Sequence, residues 1–250
     1  MEDKQMLGLS ARDYMRNIVK DSVKSFNELI RWEEKDYKDY EVLLNRLKGI
    51  NAKRKNETTK EKGEALEDIV SFIIERTFIL TAHRNKRTPT NEIDHFVVLN
   101  DHGKQSLHTY NIAPSILEFT NGYFLCECKD YGKSVGSTWV GKFYSLLKTC
   151  GNCSLGIIFS YNGLSGAENN WYDAHGLTKI IYRIEPEDKK IFILDFNKRD
   201  FERILEGESF FNIIKTKKLA LQMNGVAEKL REHHANEEFM KETLEEYFIK

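Results

Sequence analysis

Three residues at the end of one apolar segment have types and a spacing that suit hydrolytic chemistry. Glu127, Cys128 and Lys129 follow the apolar run YFLC. Because side chains alternate between the two faces of a strand, Glu127 and Lys129 should share one face. Upstream, Asp94 lies in a second apolar segment, Glu92–Leu99. If the two strands are neighbours, Asp94 and Glu127 lie side by side, roughly 5 Å apart.

Two neighbouring carboxylates repel each other unless a cation lies between them. Carboxylate oxygens with open water positions suit Mg²⁺ and also Mn²⁺, and Lys129 would add a positive charge beside an activated water. Such a site is suited to breaking a phosphodiester bond. The alternative is a surface charge pair, but the strand before Glu127 is strongly apolar, which favours a buried strand with a functional end.

The order of these residues and of the surrounding segments resembles the PD-(D/E)xK nuclease superfamily, and within it the Mrr-type restriction endonucleases. The resemblance covers residues 63–205. Ile93 stands where the family has a proline before the aspartate, and the segment 100–121 is a long loop by this comparison. The segments follow the order of the family. They are an acidic helix (63–70), the aspartate strand (92–99), the E-x-K strand (123–129), an amphipathic helix (138–147), a buried strand (155–160), a loop with a helix (162–174) and a last strand (190–195).

This resemblance implies an α/β fold with a restriction-endonuclease-like core, in which helices flank a mixed central sheet and further helices are added at both termini. It implies a Mg²⁺-dependent endonuclease that hydrolyses DNA, with Mn²⁺ as a possible substitute, in restriction or antiviral defence. Asp94, Glu127 and the carbonyl group of Cys128 would hold the metal ion. Lys129 would position or activate the attacking water.

A fourth acidic residue is expected on the helix predicted from Lys62 to about Glu75. Its apolar residues recur at the spacing of one packed helical stripe. Glu67 lies at the margin of that stripe, from which its carboxylate could reach the site, and the resemblance also implies an acidic residue on this helix. Glu64, one turn earlier, is the alternative. Both could instead be ordinary first-turn acids that the helix dipole favours.

Contacts with the phosphate backbone are expected from loops near the site. The segment 82–91 is predicted to be a loop, and its basic residues are candidate DNA contacts: Arg84, Lys86 and Arg87. Lys133 lies in the loop after the E-x-K strand, and Lys142 lies on the next helix, where many members of the superfamily carry a further polar residue. Each of these side chains could equally be solvated and without a ligand.

The chain divides into four parts by pattern. A helical arm is predicted over residues 1–50, a charged linker over 51–62, the nuclease-like core over 63–205 and further helices over 206–250. The helices before Ile50 and after Val226 carry apolar stripes, which predict a homodimer or higher assembly. Two copies would also provide the two sites that double-strand cleavage needs.

Composition limits the possible partners. The 250 residues include 38 basic and 39 acidic residues, with a net charge of -1, so attraction to DNA must come from a local patch. No apolar run approaches the roughly 20 residues that span a bilayer, and the first residues lack the apolar stretch of a signal peptide. We therefore expect a cytoplasmic protein that does not bind a membrane. Such a protein could work with partner proteins of a defence system.

The cysteines and histidines suggest weaker alternatives. The pairs Cys126-x-Cys128 and Cys150-x-x-Cys153 could provide four zinc ligands, although small buried side chains are the favoured interpretation. His95 should point to the strand face opposite Asp94 and pack there.

Two other classes of function remain open. The first is a catalytically silent nucleic-acid-binding or scaffold protein on the same fold. The second is a small-molecule hydrolase or an ordinary interaction domain, which is disfavoured because no nucleophile elbow or cofactor motif occurs in the sequence.

Overall fold

The computed structural model describes residues 24–52, 58–87, 92–130, 132–150, 153–166 and 171–225. Its centre is a five-stranded mixed sheet in which the strands follow one another in chain order. The first strand is antiparallel to the second and the second to the third, whereas the last three strands are parallel to one another. The prediction of an α/β fold with a mixed sheet is therefore confirmed. The strands are β1 (Leu80–Arg87), β2 (Glu92–Leu99), β3 (Tyr123–Cys128), β4 (Leu155–Phe159) and β5 (Phe192–Phe196).

Helices flank this sheet. Residues 24–29 are helical, and two short 3-10 helices, Pro114–Leu117 and Glu187–Lys189, lie in connections. Within the described ranges, no helix is both long and apolar enough to cross a membrane. The longer helices are α1 (Glu34–Ala52), α2 (Thr59–Glu75), α3 (Asp101–Thr109), α4 (Ser137–Thr149), α5 (Asp173–Ile184), α6 (Lys198–Leu205) and α7 (Phe210–Met223).

The two faces of the sheet are covered by different helices. His95 and Cys126 pair across β2 and β3, and helix α2 packs on their face, where the Ser71 hydroxyl lies 2.9 Å from His95 Nε2. The opposite face is covered by α4 at Gly156, where an added Cβ would come within 2.6 Å of the Phe143 ring. We call these the α2 face and the α4 face. Because side chains alternate, Asp94 and Glu127 belong to the α4 face.

Helix α2 shows why the charged segment before it is not all linker. The Thr58 hydroxyl accepts from the Glu61 amide, and the Glu61 carboxylate accepts from the Thr58 amide, so a capping box starts the helix at Thr59 rather than at Lys62. The predicted apolar stripe is confirmed, because its members are fully buried: Leu66, Ile69, Val70, Ile73 and Ile74.

Helix α1 packs onto the rest of the chain. Tyr40, Leu44 and Leu47 are almost completely buried, and the Tyr40 hydroxyl donates to the Phe201 carbonyl oxygen over 2.9 Å. The apolar stripe of α1 that suggested a dimer contact is thus covered by the same chain. The predicted helix after Val226 lies outside the described residues, as do residues 1–23.

The prediction of a loop over 82–91 is wrong for its first six residues, which belong to β1. This strand pairs with β2 from Leu80 to Arg87, although its sequence is polar and lacks an alternating apolar pattern. Backbone pairing with β2 outweighs the weak strand propensity at the border of the sheet. Asn85, which lies opposite Asp94 in this register, has a left-handed backbone with φ 49°.

Two further segments differ from their predicted structure. The predicted loop over 100–121 contains α3, which begins where the Asn100 side chain accepts from the Gly103 amide. The helix expected within 162–174 begins only at Asp173 and runs to Ile184. Gly163 and Gly166 have positive φ angles, which interrupt helix formation before that point.

Candidate active site

Asp94, Glu127 and Lys129 come together at the end of β3. Lys129 Nζ lies 2.6 Å from Glu127 Oε1 and 3.5 Å from Asp94 Oδ2. The three side chains are 13–17% exposed, so solvent reaches them without surrounding them. The pairing of His95 with Cys126 accounts for this arrangement, because it makes Asp94 and Glu127 the next cross-strand neighbours.

The backbone of Cys128 orients the first carboxylate. Its amide donates to Asp94 Oδ2 over 2.7 Å, a short charge-assisted hydrogen bond. The amide of Lys129 donates to the Phe159 carbonyl oxygen over 2.9 Å, so β4 supports the chain just beyond the end of β3. A hydrogen bond to the Asp94 side chain on β2 and a backbone hydrogen bond to β4 therefore fix where the E-x-K segment leaves the sheet.

The electrostatics of the site favour a cation between the carboxylates. Burial raises the pKa of Glu127, and the negative charge of Asp94 raises it further. Lys129 opposes both effects, and Glu92 adds a smaller repulsion that also raises the pKa of Glu127. Because like charges at this distance disfavour double ionisation, a bound cation would stabilise the ionised pair.

His95 lies directly behind the site on the α2 face, as predicted. It is fully buried between the Ser71 hydroxyl and the Cys128 thiol, whose Sγ lies 3.7 Å from His95 Nδ1. Burial lowers the pKa of His95 to about 4, and the positive charge of Arg84 contributes. The imidazole is therefore neutral at neutral pH and serves in packing.

Glu67 does not join the carboxylate pair. Its Oε2 atom accepts from the Arg84 guanidinium over 3.0 Å, and the same guanidinium donates to Asp68 Oδ1 over 2.9 Å. Arg84 pairs with His95 across β1 and β2, which assigns this ion pair to the α2 face. Glu64, the alternative residue, is exposed and lies near Lys60 at 3.7 Å.

The predicted DNA contacts differ in their surroundings. The charge of Arg84 is largely neutralised by its two carboxylate partners. Lys86 and Lys133 are exposed, whereas the side chain of Arg87 lies outside the described residues. Lys142 is also exposed, and its Nζ lies 4.6 Å from the centre of the Trp139 ring.

The donor atoms at the site fit a hard cation better than zinc. Across the described residues, no group of three His, Cys, Asp or Glu side chains could hold a metal ion, so a third protein oxygen would have to come from the backbone. Burial raises the pKa of the Cys126 and Cys128 thiols well above their usual range, and that of Cys153 to about 11. The four cysteines are all described, and they do not form a group that could hold a metal ion, so the geometry does not support the four-cysteine alternative.

Two residues near the site were missed in the sequence. Glu92 lies two residues before Asp94 on the same strand and therefore on the same face, a signal that strand alternation alone provides. Trp139 lies near the start of α4, with Lys129 Nζ 5.0 Å from its ring centre. No local pattern predicts this second contact, because it depends on how α4 packs on the sheet.

A large cleft lies away from this site. A cleft of about 1020 Å³ opens among residues 27–37 and 204–215, with Thr77 at its side, and none of the described residues that line it belongs to the candidate site.

Comparison with known proteins found no family model, no curated protein and no solved structure that matches the chain. The chemical interpretation therefore rests on the residues and their geometry.

Proposed function

We propose that the chain is a Mg²⁺-dependent endonuclease that hydrolyses DNA phosphodiester bonds, with a core of the PD-(D/E)xK type. The observation that carries the proposal is the contact of Lys129 Nζ with the carboxylates of Asp94 and Glu127 at the end of a buried strand. A buried acidic pair with one lysine is costly to form for structure alone, because each ion loses hydration.

The order of elements supports the same proposal. The aspartate lies on β2 and the E-x-K segment on the adjacent antiparallel β3. A helix, α4, connects β3 to the parallel strand β4, and α5 connects β4 to β5. This is the succession that the sequence resemblance implies, and it brings the three site residues to one edge of the sheet.

The residues at the site fit a Mg²⁺ or Mn²⁺ ion. Asp94 and Glu127 offer carboxylate oxygens, and the carbonyl group of Cys128 is the third candidate ligand. When bound, such an ion stabilises negative charge on a phosphoryl oxygen as a Lewis acid. The raised pKa of Glu127 is consistent with this role, since among the described residues Lys129 is the one cation that lowers this pKa.

The chain's own residues would then divide the work. Asp94 is held in one orientation by the Cys128 amide, which keeps its second oxygen available for a ligand. The ammonium of Lys129 can donate a hydrogen bond to the attacking water or to a phosphoryl oxygen and stabilise charge there. Lys86, Lys133 and Lys142 offer exposed positive charge for the flanking phosphates.

Cleavage of supercoiled plasmid with Mg²⁺, Mn²⁺ or EDTA tests the proposal. We expect nicked or linear DNA with either ion and none in EDTA. Asp94→Asn, Glu127→Gln and Lys129→Met should each lower the rate by a factor on the order of 10² or more. Titration calorimetry should show that the first two substitutions also weaken Mn²⁺ binding, a readout that does not depend on turnover.

Lys218→Met is a matched control. Lys218 Nζ lies 3.0 Å from Glu118 Oε2 and 4.6 Å from the Phe192 ring centre, so it repeats the ion pair and ring contact of Lys129 without a second carboxylate. Its cleavage rate should equal that of the wild type. Wild-type cleavage by Glu127→Gln, or full activity in EDTA, would contradict the assignment. DNA binding without cleavage under all conditions would favour the silent binding protein.

A further inference from the structure

We propose that Trp139 is a positioning residue that holds two ammonium groups, one at the carboxylate pair and one at a neighbouring phosphate of the bound strand. This inference rests on the proposed function and assigns a part of the substrate to the site. It concerns the indole ring of Trp139 and the side chains of Lys129 and Lys142, which contact it.

The first contact fixes the ammonium of Lys129. Its Nζ lies 5.0 Å from the Trp139 ring centre and 2.6 Å from Glu127 Oε1. A lysine side chain has four rotatable bonds, and a salt bridge alone constrains only its end. The indole ring attracts the cation and limits the directions from which it can approach the carboxylates.

The second contact involves Lys142, one helical turn after Trp139 on α4. Residues three apart lie on the same side of a helix, so the lysine folds over the ring, with Nζ 4.6 Å from its centre. Lys142 is nevertheless exposed. Its ammonium is therefore held near the site while it remains accessible to an anion in solution.

One ring thus limits the distance between two positive charges. The two Nζ atoms can lie no farther apart than the sum of their distances to the ring centre. Phosphates follow one another along a strand of a duplex at about 3.4 Å of axial rise, so both cations can contact one strand at different phosphates. The inferred ligand of Lys142 is a phosphate flanking the scissile bond.

The same kind of ring contact occurs elsewhere in the chain and provides a control. Trp171 has Lys179 Nζ 5.9 Å and Arg183 Cζ 5.0 Å from its ring centre. Trp171 precedes α5 and both cations lie on that helix, whereas the candidate site lies at the end of β3. Trp171→Leu therefore removes a ring with two cations and leaves the candidate site intact.

Nuclear magnetic resonance measures the positioning without any reaction. An aromatic ring shifts the signals of protons above its face, so the ε-methylene signals of Lys129 and Lys142 should be displaced upfield in the wild type. The displacement should be kept in Trp139→Phe and lost in Trp139→Leu. Signals that are the same in all three proteins would overturn the inference.

Cleavage kinetics separate the two roles. Trp139→Leu should lower kcat about tenfold and raise KM, whereas Trp139→Phe should stay within about threefold of the wild type. Lys142→Met should raise KM with kcat unchanged and reduce the salt dependence of DNA binding by about one unit of slope. Lys142→Arg should restore binding, because arginine keeps the charge and the ring contact.

The outcomes distinguish this inference from the proposed function. If the wild type cleaves DNA and Trp139→Leu cleaves equally well, only the role of Trp139 is overturned. If the wild type does not cleave with Mg²⁺ or Mn²⁺, the proposed function fails and the role of Trp139 fails with it. Thermal unfolding of Trp139→Leu and Trp171→Leu checks that a loss of activity is not a loss of fold.

Discussion

The buried imidazole of His95 makes the stability of this protein depend on pH. His95 is fully buried, and its pKa is about 4 in the folded chain against an ordinary value of 6.5. Between these values the unfolded chain binds a proton that the folded chain does not, so the free energy of unfolding falls as the pH falls. The contribution of His95 is complete above pH 6.5 and lost as the pH reaches about 4.

As the pH falls from 6.5 to 4, we expect the free energy of unfolding to fall less for His95→Gln than for the wild type. The difference should be on the order of 3 kcal/mol, from 1.36 kcal/mol per pKa unit. Urea unfolding between pH 4 and pH 7 measures it. The exposed His102 gives a control, His102→Gln, with the wild-type slope. His175 has a similarly lowered pKa of about 4, so some dependence on pH should persist in His95→Gln. Parallel curves for His95→Gln and wild type would contradict the assignment.

Arg84 and Lys86 lie on one strand but should respond differently to substitution. The guanidinium of Arg84 joins Glu67 and Asp68 to the sheet, at 35% exposure of its side chain. Arg84→Ala should therefore lower the free energy of unfolding by about 1 kcal/mol, as a solvent-screened ion pair allows. Lys86→Ala should weaken DNA binding and leave stability unchanged. Chemical unfolding and binding at several salt concentrations measure both effects, and the reversed pattern would show that Arg84 holds the phosphates.

Helix packing depends on glycine at one position and not at another. An added Cβ on Gly103 of α3 would lie 2.6 Å from the Ile79 carbonyl oxygen, whereas one on Gly49 of α1 would have no neighbour within 4 Å. Gly103→Ala should lower stability by about 1–3 kcal/mol through overpacking. Gly49→Ala should raise it by about 0.5–1 kcal/mol, because alanine favours the helix. Thermal unfolding compares them, and equal effects would contradict the close approach of α3 to Ile79.

The sequence predicts the strands with apolar patterns and misses the elements that lack one. Strand β2 begins and ends where its pattern predicts, β3 begins as predicted and ends one residue before Lys129, and the predicted segment of α4 is helical throughout. Strand β1 is invisible because its pairing with β2, rather than its side chains, stabilises it. Helix α3 has few buried residues and depends on the Asn100 cap, which a search for apolar periodicity does not detect.

The same distinction applies to the candidate site, where some contacts follow from the sequence pattern and others depend on long-range packing. Strand alternation predicts that Asp94, Glu127 and Lys129 share a face, and their contacts agree with it. The position of Glu67 could not be predicted, since it depends on the partner that Arg84 provides from β1. The contact of Lys129 with Trp139 depends on long-range packing and has no local signal.

At the scale of the molecule, the N-terminal helical part behaves as a part of the core. Tyr40→Phe should cost about 1–2 kcal/mol, because it leaves the buried Phe201 carbonyl without its 2.9 Å partner. Removal of residues 1–52 should abolish cooperative unfolding, since it uncovers the side of α2 on which α1 packs, where the rings of Tyr40 and Phe72 stack. Near-ultraviolet circular dichroism and calorimetry measure this. A truncated chain with the melting transition of the full chain would show instead that this part is an independent arm.

The apolar stripe of α1 does not support a homodimer. Tyr40, Leu44 and Leu47 are covered within one chain, so α1 gives no reason to expect a partner. The proposal of a homodimer now depends on the need for two sites to cut two strands. The homodimer is therefore proposed for the protein when it is bound to DNA.

The polar sequence of β1 has a consequence for how copies of the chain behave in a crowded solution. In the described sheet this strand pairs only with β2, so its other border presents backbone groups that could recruit a strand from another molecule. Charged side chains such as Lys86 oppose such recruitment, and the left-handed backbone of Asn85 breaks the flat surface that it requires. The polar residues that made β1 hard to predict from the sequence thus also disfavour aggregation beside the candidate active site.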